Sequence, residues 1–469
     1  MAKVTFLQKQ KEELLGPMYL SAMLKAGGHQ CDILVEPFEN DCIVQKALSQ
    51  NPPPDLIAFS CLSTDYYWAL RKAAVIKNRS EIRVLLGGTQ ITLNPEIAIN
   101  NPQIDLICLG EGEFPILELA EALDQGEDFS TIPNLWVKTN NSVRRNELRN
   151  LVDRLDLLPF PDRRLYRKYR FFERYARRPL QIGRGCPFNC SYCHNEAKKI
   201  LFAGKGRYVR SRSVENVLAE IDHLQEECSP HVLHFVDDSF GANQEWLTAF
   251  LPQLADRVPS RPVLYANTRA DLVNDALCRA LSDYGRDRIR LRFAVECADE
   301  AFRQRILNKK IRDSDLLQAA DLLHRYRIPF VTYNMVGLPG ETPEMALNTL
   351  ELNLRLKPTS AICFVFQPFA GTRLAEYAVE NEYVSREAIE RNGEDDFTAF
   401  FHSRSILRQD GIRQIENIHR VFGFVVWFPF LFRVMKTLTK YEAFAIPFDY
   451  AYRVFSRIFR LKRKLNDKF

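Results

Sequence analysis

Two series of short apolar runs, each interleaved with helix-period segments, constrain this chain more than any other feature of its sequence. In the first series "KVTFL" (3–7), "QCDILV" (30–35), "LIAFSCL" (56–62), "RVLLGG" (83–88) and "LICLGE" (106–111) are rich in Ile, Leu and Val and too short for helices. Such runs read as strands buried on both faces. Between them lie "PMYLSAMLKAGG", "STDYYWALRKAAVIKN" and "NPEIAINN", with apolar positions at helical spacing and a Gly-Gly stop after the first. Strands alternating with helices in this way predict an α/β fold with a doubly wound, Rossmann-like parallel sheet. Such sheets bind ligands outside the carboxyl ends of their strands.

The second series runs through "LQIGRGC" (180–186), "VLHFVDD" (232–238), "VLYANTRAD" (263–271), "RIRLRFAVEC" (288–297), "FVTYNMVGLP" (330–339) and "AICFVFQPF" (361–369). Helical patterns at 213–227, 243–256, 314–326 and 343–356 separate several of these runs. Six strand–helix units predict a partial (β/α)6 TIM-type barrel whose working face lies at the strand C-termini. Between the two series, "TIPNLWVKTNNSVRRNELRN" reads as a hairpin and "LPFPDRRLYRKYRFFERYARRP" as a basic, aromatic connector. The expected organisation is a sheet domain over 1–130, a linker over 131–178, a barrel over 179–385 and a helical C-terminal region over 386–469.

A chain of 469 residues exceeds what one ordinary core holds. Its 64 basic and 59 acidic residues leave a net charge of +5, too mild to predict a nucleic-acid partner. The N-terminus, "MAKVTFLQKQKEELLG", has no apolar run of signal-peptide length, so a cytoplasmic, reducing location is expected. Eight of the eleven cysteines are scattered singly and read as small core residues.

The other three fall in "GRGCPFNCSYCHN" (183–195), directly after the first run of the second series. Cys190-Ser-Tyr-Cys193-His194 spells the C-x-x-C-H of covalent haem attachment, a modification normally made outside the cytoplasm. Cys186, Cys190, Cys193 and His194 could form a Cys3His zinc site. Cys186, Cys190 and Cys193 could equally be the only protein ligands of an iron–sulfur cluster.

The spacing C-x-x-x-C-x-aromatic-C after the first strand of a β/α barrel resembles the signature of the radical S-adenosylmethionine (radical SAM) enzymes. Cys186, Cys190, Tyr192 and Cys193 match every position of it. The resemblance implies that the three thiolates hold three irons of a [4Fe-4S] cluster. The fourth iron is left to chelate the amino and carboxylate groups of SAM, which is then cleaved to a 5'-deoxyadenosyl radical. "FVDDSF", "NTRAD", "VEC" and "MVGLPGET" fall where the family places further SAM contacts. By that analogy Tyr192 packs near the adenine and Glu296 approaches the ribose or methionine part. The "GLPG" backbone, with Gly337 and Pro339, lines the adenine site, and His194 is a neighbour of the cluster.

A doubly wound domain ahead of such a barrel resembles the cobalamin-binding arrangement of the class B radical SAM methylases and the anaerobic magnesium-protoporphyrin cyclase. Their cobalamin-domain pattern is D-x-H-x-x-G, then S-x-L, then G-G. This chain supplies Ser60-Cys61-Leu62 and Gly87-Gly88, small residues suited to a groove for the nucleotide tail. It departs at the first element, where Lys11 and Glu13 stand at the Asp and His positions before Gly16. No imidazole for cobalt is offered there, and the loop "STDYYW" (63–68) is the candidate to cover that face. "GGTQITLNPE" (87–96) and "LGEGE" (109–113) are Gly-marked strand-end loops, also common in this family.

The implied function is cobalamin-dependent C-methylation. One SAM methylates cobalamin and a second yields the radical that takes a hydrogen atom from an unactivated substrate carbon. The alternative with the same cofactors is oxidative cyclisation or ring rearrangement without methyl transfer. Either needs an external donor of flavodoxin or ferredoxin type.

At the C-terminus "VFGFVVWFPFLF" (421–432) is apolar but shorter than the roughly 20 residues that span a bilayer. Arg453, Arg457, Arg460 and Lys464 then fall on one helical face, with aromatic residues away from it. A basic amphipathic helix of this kind predicts peripheral contact with the inner face of a membrane, and with it a hydrophobic substrate such as a lipid or tetrapyrrole. A solvated tail behind an apolar segment packed on the barrel is the competing reading.

Overall fold

The computed structural model describes residues 1–36, 42–139, 142–169, 172, 177–391 and 404–466, and it divides into two compact units. The first is built mainly from Met1–Tyr175 and Ala197–Arg212. The second is built from Ala176–Glu196, Ser213–Glu390 and the C-terminal region.

The first unit holds strands β1 (Lys3–Gln8), β2 (Gln30–Val35), β3 (Leu56–Ser60), β4 (Arg83–Gly87), β5 (Leu106–Cys108), β6 (Leu135–Lys138) and β7 (Val143–Arg145) in the order β2-β1-β3-β4-β5-β6-β7. The first five are parallel. One face packs Val4, Phe6, Ile33, Leu56 and Leu85 against Met18, Leu24 and Leu119, and the other packs Ile57, Phe59, Val84 and Leu86 against Trp68, Ala73 and Ile76. Burial of both faces explains why the strands read as unbroken apolar runs. The chain leaves β1 toward β2 on one side and returns to β3 on the other, so the switch point of the sheet lies between β1 and β3. Ser60 and Gly87, in register at the carboxyl ends of β3 and β4, stand beside it.

The expected boundary at residue 130 falls too early. The hairpin β6–β7 is not part of a linker: β6 pairs antiparallel with β5 and extends the sheet. Alternating burial along β6, with Leu135 and Val137 buried, gives the hairpin an apolar face that the sheet edge covers.

The second unit holds β8 (Arg177–Leu180), β9 (Val232–Phe235), β10 (Val263–Thr268), β11 (Ile289–Glu296), β12 (Phe330–Val336) and β13 (Ser360–Val365), all parallel and in sequential order. This is the expected six-unit partial barrel. Outward residues Leu180, Leu233, Phe235, Leu264, Leu291 and Phe293 pack against helix residues that include Val217, Ile221, Phe250 and Leu323.

The first barrel strand differs from the expected 180–186. It ends at Leu180 because the amides of Ile182 and Gly183 donate to the Asp237 carboxylate, at 2.9 and 2.7 Å to Oδ1, and so leave the parallel ladder. The C-terminal helix Ile412–Trp427 packs Ile415, Ile418, Phe422 and Val425 on Val336, Ala361 and Val365. Part of the apolar 421–432 segment is therefore barrel cover.

Candidate active site

The three cysteines lie in the loop that leaves β8 at the carboxyl end of the barrel. Ser191 fixes this loop: its amide donates to Leu307 O (2.9 Å), its Oγ to Ile306 O (2.6 Å), and its carbonyl accepts from the Leu374 amide (2.9 Å). Asn308 Nδ2 donates to Asn189 O at 2.5 Å. A loop held from two sides keeps its thiols pre-positioned rather than mobile.

Cys186, Cys190 and Cys193 are all free thiols. Burial pushes the Cys186 thiol up and that of Cys193 to about 12, the latter with help from the neighbouring Asp238, Cys190 and Cys186 charges. Such mutual influence requires the three sulfurs to be neighbours. Among the described residues, however, no three His, Cys, Asp or Glu side chains converge on a single-ion position. Three thiolates on one loop could each ligate one iron of a larger cluster. His194 opens the helix His194–Leu201 and is exposed.

Two donors approach the sulfurs that the motif does not reveal. Arg269 Nη1 lies 3.8 Å from Cys190 Sγ, while its Nε and Nη2 bind Asp271 at 3.0 and 2.8 Å and its guanidinium sits 3.5 Å from the Phe188 ring centroid. Asn195 Nδ2 lies 3.8 Å from Cys193 Sγ. Donors at sulfur are among the groups that tune an iron–sulfur centre.

Glu296 ends β11 in the left-handed region, at φ 67°, with a register shift between it and Ala294. A glutamate held there is strained, and strain of this kind gathers at functional sites. The bulge aims its carboxylate at two partners: Tyr192 Oη donates to Oε1 at 2.7 Å and Lys309 Nζ lies 3.0 Å from the same oxygen. Burial, then the Glu296 charge, pushes the Tyr192 phenol well up. Ser239 Oγ, Asn267 Oδ1 and Thr268 Oγ1, at or beyond the ends of β9 and β10, are buried with no partner among the described residues. A site with three polar atoms left over fits a polar ligand such as SAM.

Gly337 is at φ 76°, beyond β12. The amides of Gly337 and Leu338 both donate to Glu341 Oε2, at 2.5 and 3.1 Å, and burial pushes Glu341 up to about 8. At those two amides the "GLPG" turn is already satisfied, so it offers a ligand shape more than hydrogen bonds. Pro339 follows in the same turn and has no amide to offer.

In the first unit, a Cβ on Gly16 would come within 3.6 Å of Ser60 Oγ, which places the two at one narrow cleft. Gly88 lies at φ 98° against the Cys61 backbone. Leu62 is 52% exposed, whereas Gly87 is half-buried, and a Cβ there would make ordinary contacts with Cys108 and Phe59 O. The expected 63–68 loop is shorter in the structure, because Tyr66 opens the helix Tyr66–Lys77, with Tyr66 and Trp68 buried. In the turn before it Ser63 Oγ donates to Gln90 Oε1 (2.6 Å), and Asp65 is buried with Oδ2 unpartnered among the described residues. The unit's one described histidine, His29, accepts from the Ala2 amide through Nδ1 at the amino end of the sheet, far from this cleft. The cleft therefore fits a flat ligand and its tail, but no imidazole of the described unit is there to hold a cobalt ion.

Comparison with known proteins agrees with both units. Residues 180–352 match the family model of the radical SAM superfamily, and residues 9–120 that of the B12 binding domain. An uncharacterized methyltransferase of Pyrococcus horikoshii is 27% identical over 336 residues, 70% of each chain. The anaerobic magnesium-protoporphyrin IX monomethyl ester cyclase of Rubrivivax gelatinosus is 25% identical over 75% of this chain and 63% of its own. Among solved structures, the radical S-adenosylmethionine methyltransferase TsrM of Kitasatospora setae, with cobalamin and a [4Fe-4S] cluster bound, superposes with a TM-score of 0.68. That match has 16% identity and covers 82% of this chain and 76% of the other.

Proposed function

We propose that this chain, which belongs to the radical SAM superfamily and carries a B12-binding domain ahead of its barrel, methylates an unactivated carbon of its substrate. The observation that carries the proposal is the union in one chain of a three-cysteine loop at the barrel mouth and a cobalamin-type sheet domain. When bound, a [4Fe-4S] cluster on Cys186, Cys190 and Cys193 supplies the electron that cleaves SAM to a 5'-deoxyadenosyl radical, and cobalamin supplies the methyl group. The protein's part is to bind, orient and exclude water. Arg269 and Asn195 hold positive character at the sulfurs. Tyr192, Glu296 and Lys309 form a fixed polar wall, and Ser239, Asn267 and Thr268 offer unspent polar atoms to SAM. Ser60, Leu62, Gly87 and Gly88 would shape the cobalamin cleft, and the turn 63–65, with Asp65, would lie against the bound corrinoid. The electron donor is of flavodoxin or ferredoxin class.

The test is anaerobic turnover of reconstituted protein with SAM, hydroxocobalamin, a reductant and metabolite, lipid and pigment extracts. Methylation predicts 5'-deoxyadenosine, S-adenosylhomocysteine and a product one methylene heavier. A product without that added methylene, formed with 5'-deoxyadenosine but no S-adenosylhomocysteine, would select the cyclase reading, which the likeness to the Rubrivivax enzyme keeps in view. Absence of 5'-deoxyadenosine sinks both.

We also propose that the C-terminal region rests on an anionic membrane surface and that the substrate is hydrophobic. No helix of the described residues is long and apolar enough to cross a membrane. Phe430, Val434, Tyr441, Ile446 and Tyr450 are instead exposed, Phe430 and Ile446 by 78% and 82%, among Arg433, Lys436, Lys440 and Arg453. They lie on or beside the helices Phe432–Leu438 and Ala445–Asn466. The side chains of Arg460 and Lys464 lie outside the described residues. Apolar residues that enter the headgroup layer beside cations that meet it are the two halves of an interfacial anchor. Co-sedimentation with phosphatidylglycerol vesicles is expected. Little is expected with phosphatidylcholine, and the binding should weaken in high salt and in the Phe430→Ser/Ile446→Ser variant. Equal binding to both lipids, or none, would refute the anchor.

A further inference from the structure

The interior of the barrel is built unlike a packed one. Along each strand the outward residues are nearly inaccessible: Leu233, Leu264, Leu291 and Phe293 are all 2% exposed or less. Their inward neighbours His234, Tyr265, Asn267, Tyr333, Met335 and Phe364 are only half-buried. A barrel filled by its own side chains buries both sets and lines the inside with branched aliphatic residues. Here the lumen is open and lined by aromatic, polar and cationic groups.

Arg292 of β11 lies within it and is 8% exposed. Its Nη1 donates to Tyr333 Oη (3.0 Å), its Nη2 is 2.9 Å from His234 Nε2, and its guanidinium stands 5.1 Å from the Tyr265 ring centroid. The guanidinium of Arg177 stands 4.0 Å from that same ring, so two cations flank one tyrosine. Arg292 Nε is buried with no partner, and no carboxylate pairs with this guanidinium among the described residues. A buried charge whose neighbours are neutral or cationic is unfavourable until an anion meets it. Guanidinium is also the side chain best matched to a carboxylate or phosphate.

We propose that the barrel lumen receives a substrate carrying a carboxylate or phosphate, and that Arg292 binds that group while Tyr265 and Tyr333 flank the body of the molecule. This rests on the radical SAM reading given above. Arg292 precedes Glu296 by four residues on β11, about 13 Å along a strand. The anionic group and the reacting carbon at the barrel mouth would be separated by about that distance.

The experiment titrates the full-length protein with benzoate, inorganic phosphate and neutral benzamide at constant ionic strength against chloride, reading the thermal midpoint. Wild type is expected to show a saturable rise with benzoate or phosphate and none with benzamide, and the stronger anion identifies the group. Arg292→Met should weaken that binding about tenfold or more, the range for a hydrogen bond to a charged group. Arg292→Lys, which keeps the charge and answers for any folding defect of the Met variant, should weaken it less. Arg290→Met, at a half-buried position two residues earlier on β11 where the guanidinium is bonded to the carbonyls of Asp287 and Ile289, should leave it unchanged. A wild type that shows no saturable rise, or Met and Lys variants that respond as wild type does, overturns the proposal. Substrate-free 5'-deoxyadenosine formation is measured alongside: its loss in wild type defeats the radical SAM reading, whereas its retention with no anion response defeats only this inference.

Discussion

Protein carrying Cys186→Ala, Cys190→Ala or Cys193→Ala is expected to fold, to take up no stable [4Fe-4S] cluster and to release no 5'-deoxyadenosine above background. Each thiolate answers for one iron, so two remaining ligands cannot hold a cluster that already has one iron without a protein ligand. The fold should survive because the loop is anchored through Ser191 and Asn308 rather than through the sulfurs. Cys190 is the most buried of the three, at 9% exposure, with Cys186 and Cys193 partly buried, and losing one sulfur there costs about 1–2 kcal/mol, below the range for truncating a large core side chain. Burial holds the Cys186 and Cys193 thiols protonated in the metal-free protein. Metal loading must therefore release protons, and reconstitution should proceed faster at alkaline than at neutral pH. His194→Ala is the control, expected to retain both cluster and cleavage. Iron and sulfide content, the absorbance of the cluster and chromatography of 5'-deoxyadenosine read the result. Cleavage retained in any one of the three cysteine variants would defeat the three-ligand site.

Much of this architecture was legible because it is periodic and local. Strands buried on both faces must be unbroken apolar runs, so β1 to β5 and the later barrel strands stood out. The cysteine spacing is local in the same sense. Readings that depended on distant partners went astray or were not available. The end of β8 has no local mark, because Asp237, more than fifty residues away, sets it. Nothing local marks the β6–β7 hairpin as sheet rather than linker, because its role depends on a free edge at β5. Glu296 was singled out, but neither its left-handed backbone nor Lys309 beneath it has a sequence signature. Arg269 lay within a quoted motif, yet its approach to Cys190 depends on how β10 stands against the cysteine loop. Arg292 was invisible for a related reason. In "RIRLRFAVEC" its alternation with Leu291 and Phe293 marks a strand, but only closure of the sheet shows that the arginine side faces a lumen and not water.

The first unit supplies the sharpest separation between a residue the fold needs and one a ligand needs. Gly88→Ala is expected to destabilise the sheet domain by about 3 kcal/mol, as strain and overpacking add, and to abolish corrinoid retention on gel filtration while the barrel still cleaves SAM. Gly88 lies at φ 98° and ψ −175°, a region open to little besides glycine, and its Cβ would fall 2.6 Å from Cys61 O and 2.7 Å from Cys61 N. Those atoms cannot yield, because the Cys61 amide donates to Gly87 O (2.8 Å) and its carbonyl accepts from Gln90 (3.2 Å). A methyl group there drives apart the ends of β3 and β4, and with them Ser60 and the turn 63–65. Gly87→Ala is the contrasting case. Its Cβ would meet Cys108 Cβ and Cys108 O at 3.8 Å, ordinary contact distances, so the domain should keep its stability. If the cleft beside Ser60 holds the cobalamin tail, Gly87→Ala weakens corrinoid retention by crowding the ligand alone, whereas Gly88→Ala loses it through the fold. Thermal unfolding monitored beside corrinoid absorbance distinguishes the two variants. Wild-type corrinoid retention in Gly88→Ala would show that cobalamin does not depend on this cleft.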